Sequence, residues 1–363
     1  MNKDYYVVIM AGGAGTRFWP MSTNVCPKQF IDVMGTGRTM IQQTYDRFRN
    51  FCPPENVLVV TGRIYRDIVL EQLPELKPEQ VLCEPHRKNT APCIAYANYK
   101  IHAVNPEATV VVAPADHVVL KEDVFASVIG QAAEAASKND WLITLGIKPS
   151  YPNTGYGYIQ FDPETVYNGE ENLRKVKLFT EKPELEMART FVESGEFLWN
   201  AGLFIWSLKS SMEAFRTYLP DVDELFAGGL GKYNTPAEAE YIEKVYLVCK
   251  SISIDYGVME KARNVYVIAS DFGWSDVGTW GSLYELRAKD KAENAIVGKN
   301  VMMYDSRRCI VNVPKNKLVV LEGLENYIVV ENNDCLLVCR RSEEQKLRQI
   351  VGDIASEKGD KFV

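Results

Sequence analysis

Five charged residues in this chain stand where they could hold an anion or a metal: Arg17, Lys28, Asp116, Lys182 and Asp276. Two of them belong to the stretch Ala11 to Phe30, AGGAGTRFWPMSTNVCPKQF. An apolar run, Tyr5 to Met10, precedes it and reads as a buried parallel strand. Gly12, Gly13 and Gly15 let the backbone turn its N–H groups toward an anion with no Cβ in the way. Arg17 and Lys28 add two cations, and Pro20 and Pro27 stiffen the path between them. A loop built this way suits a polyphosphate.

Two commoner glycine loops do not fit. A Walker loop ends in Gly-Lys-Ser/Thr and runs straight into a helix, and no such triplet stands here. A dinucleotide fingerprint needs Gly or Ala where Phe18 stands, counted from Gly13 and Gly15, and it too opens a helix at once. A glycine-rich turn with incidental surface charges is the plain alternative. The full string resembles the GGxGTRxxPxxxxxxPKQ signature of the sugar-nucleotide pyrophosphorylases. Its Phe-Trp-Pro and Pro-Lys-Gln-Phe variants look like the mannose-1-phosphate guanylyltransferase branch. That resemblance implies nucleotide contacts along Ala11, Gly12, Gly13, Gly15, Thr16, Arg17 and Lys28.

Asp116 lies in Ala113-Pro-Ala-Asp-His117, just past a β-branched run. A carboxylate there can bind Mg²⁺, a hard cation satisfied by one or two carboxylates plus phosphate oxygens. An Asx-turn or helix cap is the bland reading of the same residue. Asp276 sits in Gly273-Trp-Ser-Asp-Val-Gly-Thr-Trp280. The resemblance makes it the second metal carboxylate, whereas local rules alone allow a cap for a helix beginning near Thr279.

Glu181-Lys182-Pro183 would, by itself, be a solvated surface pair. Its likeness to the branch's EKP motif implies that Lys182 holds the sugar phosphate while Glu181 takes sugar hydroxyls. Trp199-Asn-Ala-Gly202 matches a WNxG segment, implying a sugar contact from Asn200. Gly155-Tyr-Gly-Tyr158 looks like the GYGY turn, which lets backbone approach the hexose at Gly157. Glu84 to Pro92, EPHRKNTAP, is a capped helix start that in the resembled branch lies beside the nucleobase, implying contacts from Pro85, Asn89 and Thr90. Ser253 to Glu260, SIDYGVME, also resembles a branch segment, but no role for Asp255 follows from it.

The reaction implied is transfer of GMP from GTP to mannose 1-phosphate, giving GDP-mannose and pyrophosphate by in-line attack on the α-phosphorus. Positioning and charge neutralisation dominate such chemistry. In that scheme Arg17 and Lys28 neutralise the triphosphate, Mg²⁺ on Asp116 and Asp276 orients it, and Lys182 holds the nucleophile. Two rival expectations stand beside it: another hexose 1-phosphate or base, and a catalytically silent nucleotide-sugar sensor on the same fold.

These residues need a scaffold. Strands are expected at Tyr5–Met10, Val57–Thr61, Val81–Cys83, Thr109–Ala113 and Trp141–Leu145, with helices near 64–73, 91–104 and 124–137. Thr90 is expected to cap the second of these helices. Such alternation predicts an α/β fold with a doubly wound, mainly parallel, Rossmann-like sheet, whose ligands sit at the carboxyl ends of strands. A catalytic domain is expected over 1–290, with Pro152 to about Leu286 as its sugar-side half. Residues 291–363 change texture: short strand-like runs at Val301–Tyr304, Cys309–Val313, Leu318–Leu321, Tyr327–Val330 and Leu336–Cys339 precede a helix near Glu343–Ala355. This predicts a small β-rich domain, for which the resemblance implies a left-handed β-helix fragment. Longer relatives continue into an isomerase domain that this chain does not reach, so no isomerase activity is expected.

Composition sets the outer bounds. With 363 residues and a net charge of −7, the chain carries no basic tract, so neither nucleic acid nor a membrane surface is an expected partner. An acidic enzyme handling phosphates must concentrate positive charge locally or recruit a metal. The absence of a signal-like start and of any membrane-length apolar run, with eight scattered cysteines and no CxxC pair, predicts a cytoplasmic setting. The β-rich tail is a candidate homodimer contact.

Overall fold

Tyr5–Ala11 forms strand β1, whose Val7, Val8 and Ile9 are wholly buried, as expected of a strand covered on both faces of a parallel sheet. It pairs in parallel with β2 (Val57–Gly62), which pairs in parallel with β3 (Val81–Glu84). On its other side β1 pairs in parallel with β4 (Thr109–Pro114), Tyr5 opposite Thr109 and Met10 opposite Pro114. Strand order reverses at the β1–β4 pair, and such switch points are where open α/β sheets bind ligands. Ala11 and Gly12 leave β1 there.

After the two-residue β5 (Val118–Val119), the sheet is completed by β6 (Leu142–Ile147), β7 (Gly157–Phe161), β8 (Leu173–Glu181), β9 (Phe197–Ser207) and β10 (Val265–Ala269). The nine strands lie in the order β3-β2-β1-β4-β9-β6-β10-β8-β7. Only β8 and β9 run against the others, so the sheet is mainly parallel as expected. The eleven residues of β9 enter between β4 and β6, antiparallel to both. Its register against β6 shifts between Thr144 and Gly146, a bulge beside Asn200.

This computed structural model describes residues 1–13, 16–165 and 172–363. They fold as two units. The sheet belongs to the first, Met1–Gly12 with Thr44–Ala115 and Val119–Trp274. Helices Thr90–His102 and Glu122–Lys138 arise close to their expected places, although Asn89 and not Thr90 caps the former. Thr90 is the first helical residue; the side chain of Asn89 accepts from its N–H at 2.9 Å.

The second unit joins Ser275–Val363 to Gly13–Gln43 and Asp116–Val118. After β11 (Trp274–Ser275) it holds β12 (Ala295–Val297), β13 (Asn300–Tyr304), β14 (Ile310–Asn312), β15 (Leu318–Glu322), β16 (Tyr327–Asn332) and β17 (Cys335–Arg340). Parallel pairing of β12, β14 and β16 on one side and of β13 with β15 on another makes a β-helix-like coil around Cys309, Val311, Val313 and Val329. An antiparallel β16–β17 hairpin ends it, followed by helix Leu347–Lys358.

This coil shares a core with the signature loop. Phe18, Trp19 and Trp280 pack with Ile310, Ile328, Leu337 and Leu347. Trp19 Nε1 donates to the Phe362 carbonyl at 2.7 Å, and Asn332 Nδ2 to that of Pro20 at 2.9 Å. The β-rich tail and residues 13–43 are therefore one packed body. Among the described residues no helix is long and apolar enough to cross a membrane, and all eight cysteines are free thiols.

Candidate active site

In the second unit, Asp116 and the main chain of Asp276 meet at Lys28. The Pro-Lys-Gln-Phe segment forms a single 3₁₀ turn, Lys28–Phe30, that buries the lysine. Its ammonium lies 2.8 Å from Asp116 Oδ2 and donates to the main-chain carbonyls of Asp276 at 2.6 Å and Val277 at 3.2 Å. An ammonium has three N–H donors, and all three are engaged. The Phe18 ring lies 5.8 Å from the same nitrogen and packs on Trp280 at 5.1 Å. Burial alone would raise the Asp116 carboxyl, but Lys28 and then His117 outweigh it and hold the group below the usual carboxylate range. A third of the Asp116 side chain stays exposed.

Asp276 bends back over its own turn, Oδ1 accepting from the Gly278 N–H at 3.1 Å. A Cβ at position 278 would stand 2.6 Å from Asp276 Oδ2, so a larger residue there would displace that carboxylate. Thr279, not Asp276, caps the following helix Trp280–Leu286. Val277 is wholly buried at φ 43°, a conformation strained for a β-branched residue. Lys28 thus ties a strained turn to Asp116. Arg17 sits on the turn Thr16–Phe18, half buried. Gln29, which the sequence reading passed over, is buried and donates to the Gly13 carbonyl at 3.0 Å, fixing the start of the glycine loop. Gly15 lies outside the described residues.

In the first unit, Gly157, Glu181, Lys182 and Asn200 come together. Glu181, nearly buried, pairs through Oε1 with the half-exposed Lys182 ammonium. Its Oε2 is buried with no hydrogen-bond partner among the described residues and lies 2.5 Å from where a Cβ on Gly157 would stand. Lys182 has φ 49°. Burial would lower its ammonium, but Glu181, with Asp255 behind it, raises it. Asn200 is buried, its Oδ1 accepting from Thr144 Oγ1 at 2.9 Å and the Gly202 N–H at 3.1 Å, while Nδ2 donates to Asp255 Oδ1 at 3.0 Å. The expected sugar contact from Asn200 is thus restricted: its oxygen is already occupied. Asp255 opens a single π-helical turn, Asp255–Met259, and burial beside Glu181 pushes its carboxyl up to about 7.

The expected base-binding segment lies in the same unit. Asn89, at φ 69°, is exposed; Pro85 is half buried at the end of β3. Thr90 Oγ1 accepts from the Ile254 N–H at 2.8 Å. Glu84 is buried, accepts from Tyr246 Oη at 2.9 Å, and is pushed up to about 7 by burial.

A nucleotidyl transferase family model matches residues 6–293. The chain belongs to that family. A second model, the MannoseP isomerase/GMP-like beta-helix domain, matches residues 299–354. This nucleotidyltransferase is 34% identical over 358 residues to a mannose-1-phosphate guanylyltransferase of Escherichia coli, covering 97% of this chain and 76% of that protein. It is 34% identical to the alginate biosynthesis protein AlgA of Pseudomonas aeruginosa, over 96% of this chain and 71% of that one. Among solved structures, one described as a mannose-1-phosphate geranyltransferase from Thermus thermophilus superposes with a TM-score of 0.86 at 29% identity, covering 97% of this chain and 99% of that one. Within this nucleotidyltransferase three expected site positions, or their neighbours, have positive φ without being glycine: Asn89, Lys182 and Val277 beside Asp276. Strain of that kind persists where the surroundings over-determine it, commonly at ligand sites.

Proposed function

We propose that this nucleotidyltransferase moves GMP from GTP to α-D-mannose 1-phosphate, releasing pyrophosphate, with Mg²⁺ as cofactor. The observation that carries the reading is the Lys28 knot: one buried ammonium joined to the carboxylate of Asp116 and to the main chain of Asp276. It ties Asp116 and the turn that carries Asp276 to one anchor, and it holds the Asp116 carboxyl below its ordinary range. The donor set fits a hard divalent ion, which prefers carboxylate and phosphate oxygens. Asp116 and Asp276 would hold it. Bound there, Mg²⁺ supplies positive charge against the triphosphate.

The chain's own residues do the rest by placement and charge. Arg17 binds triphosphate oxygens beside the glycine loop, which Gln29 fixes through Gly13. Lys28 acts on the phosphates through its field, since its three donors are engaged. Lys182 holds the sugar phosphate and Glu181 accepts from the hexose. A sugar phosphate already carries its attacking oxygen as an anion, so no general base is required. Asn89, Thr90 and Pro85 contact the base, and the mannose and guanine preferences follow the relatives' names.

The test is pyrophosphate release from GTP, ATP, UTP and dTTP paired with mannose or glucose 1-phosphate, with and without Mg²⁺. Release that is fastest with GTP and mannose 1-phosphate, and lost on chelation, is expected. Equal rates with other pairs would overturn the substrate assignment, and none with any pair would overturn transfer itself.

A further inference from the structure

The polar side chains around Glu181 are fixed by a segment with no role in the scheme so far. Ile252–Glu260 runs as a strap across the first unit. At its start the Ile252 N–H donates to the Lys88 carbonyl at 3.2 Å, and the Ala91 N–H to the Ile252 carbonyl at 3.1 Å. The Ile254 N–H then donates to Thr90. At its end, Glu260 Oε1 accepts from the Glu181 N–H at 2.9 Å, and Tyr256 Oη donates to the Glu181 carbonyl at 3.3 Å. Between these ties stands Asp255, bonded to Asn200 and facing Glu181.

We infer that Asp255 is a positioning residue of the sugar-phosphate site, a buried carboxyl that orients the Asn200 amide and, with Glu181, sets the charge against which Lys182 receives the phosphate. Three independent features converge on it. A one-turn π-helix is rare and concentrates at functional sites, and Asp255 opens one. The Asn200 amide is held at both ends, its oxygen by Thr144 and Gly202 and its nitrogen by Asp255, so Asp255 completes the fixing of that side chain. Finally, Glu181 keeps one buried oxygen unpartnered among the described residues. Two carboxyls in one dry site with a single ammonium cannot both ionise cheaply.

The groups that bear on Asp255 are Glu181 and Lys182 at and just past the end of β8 and Asn200 on β9, while Tyr256 and Glu260 bond the Glu181 main chain. With Asp255 protonated, Glu181 and Lys182 form a neutral pair and the phosphate meets little repulsion. As pH rises through about 7, Asp255 ionises and adds a negative charge behind Lys182. The contribution of Asp255 to sugar-phosphate affinity therefore falls with rising pH.

The inference rests on the proposed transfer only for its choice of ligand. The experiment is calorimetric titration of the full chain with α-D-mannose 1-phosphate and with GTP, across about pH 6 to 8. At the low-pH end Asp255→Ala is expected to weaken sugar-phosphate binding about tenfold, the loss of one buried hydrogen bond, and to leave GTP affinity unchanged. Asp255→Asn keeps an acceptor for Asn200 and removes the titration. It is expected to bind the sugar phosphate like the parent at low pH, and more tightly than the parent at high pH. Parent-like binding by Asp255→Ala, an equal loss for GTP, or an unaltered pH profile in Asp255→Asn would each overturn it. A parent that binds the sugar phosphate in this way but releases no pyrophosphate would defeat the proposed transfer and uphold this role.

Discussion

The Lys28 cluster and the Asp255 cluster follow opposite electrostatic plans. At Lys28 a single buried cation is surrounded by oxygen, every N–H has a partner, and the adjoining carboxylate is held ionised. At Asp255 buried carboxyls crowd one half-exposed lysine, an oxygen is left over, and a proton is held up to near neutrality. The first arrangement keeps its carboxylate charged. The second is poised to change charge when a phosphate arrives. A fixed anchor suits a metal and a triphosphate; an unbalanced pocket suits recognition of a smaller anion with hydroxyls.

The comparison breaks most visibly at its two lysines. Lys28→Met should lower kcat by on the order of 10²–10³ and also destabilise the protein. Removing one partner of a buried pair costs roughly 3 kcal/mol, toward the low end because Asp116 is partly exposed. Lys182→Ala should raise the KM for mannose 1-phosphate with Tm unchanged, because its ammonium is half exposed and ties down no turn. Steady-state kinetics beside thermal melts separate the two. Matching Tm losses would show that the lysines are not differently employed.

Asp276→Asn sharpens the anchor side. Lys28 binds the main-chain oxygen of residue 276, so the turn should survive the change with little loss of Tm. The expected effect is again about 10²-fold on kcat, with a higher Mg²⁺ concentration needed for half-maximal rate. Near-normal turnover would remove Asp276 from the metal site.

Much of this was legible in sequence because it depends on local chemistry. The apolar runs Val7–Ile9 and Val110–Val112 announced β1 and β4, and the Gly-Thr-Arg and Pro-Lys-Gln segments marked the loop that the structure builds around Lys28 and Gln29. What did not show were long-range closures. The partners of Lys28 stand at positions 116, 276 and 277, and no periodicity connects them. Strand β9 carries Asn200 into the middle of the sheet, a placement that its Trp-Asn-Ala-Gly run does not announce. The tail's strands were visible, but their shared core with Phe18 and Trp19 was not, since a boundary inferred from texture treats sequence distance as spatial distance. Asp255 was silent for the same reason: burial beside Glu181 gives it meaning, and burial is a property of the fold.

Glu84 extends the contrast to stability. It is buried and keeps its proton to about pH 7, above the ordinary carboxylate value. A raised carboxyl contributes stability that is full below the unfolded-state value and lost as pH climbs through the folded one. Glu84→Gln retains an acceptor for Tyr246 and cannot titrate. Between about pH 5 and 8 the parent should lose roughly 2–3 kcal/mol more than the variant, read from urea midpoints. Identical slopes would place the ionised Glu84 comfortably in the fold.

The smallest expected effect tests whether the strap matters at all. Thr90→Val keeps the shape of the side chain and removes the acceptor for the Ile254 N–H. The net cost of one such bond is about 1 kcal/mol, which a melt should register as a shift of a few degrees or less for a chain of this size. The informative readout is kinetic. Because Ile254 directly precedes Asp255, loosening it should raise the KM for mannose 1-phosphate a fewfold although residue 90 belongs to the segment proposed to bind the base, and Thr90→Ser should restore it. A change confined to the GTP KM would mean that the two ends of the strap are stitched to the fold independently, and that only the Asp255 carboxyl, not the segment carrying it, serves the sugar.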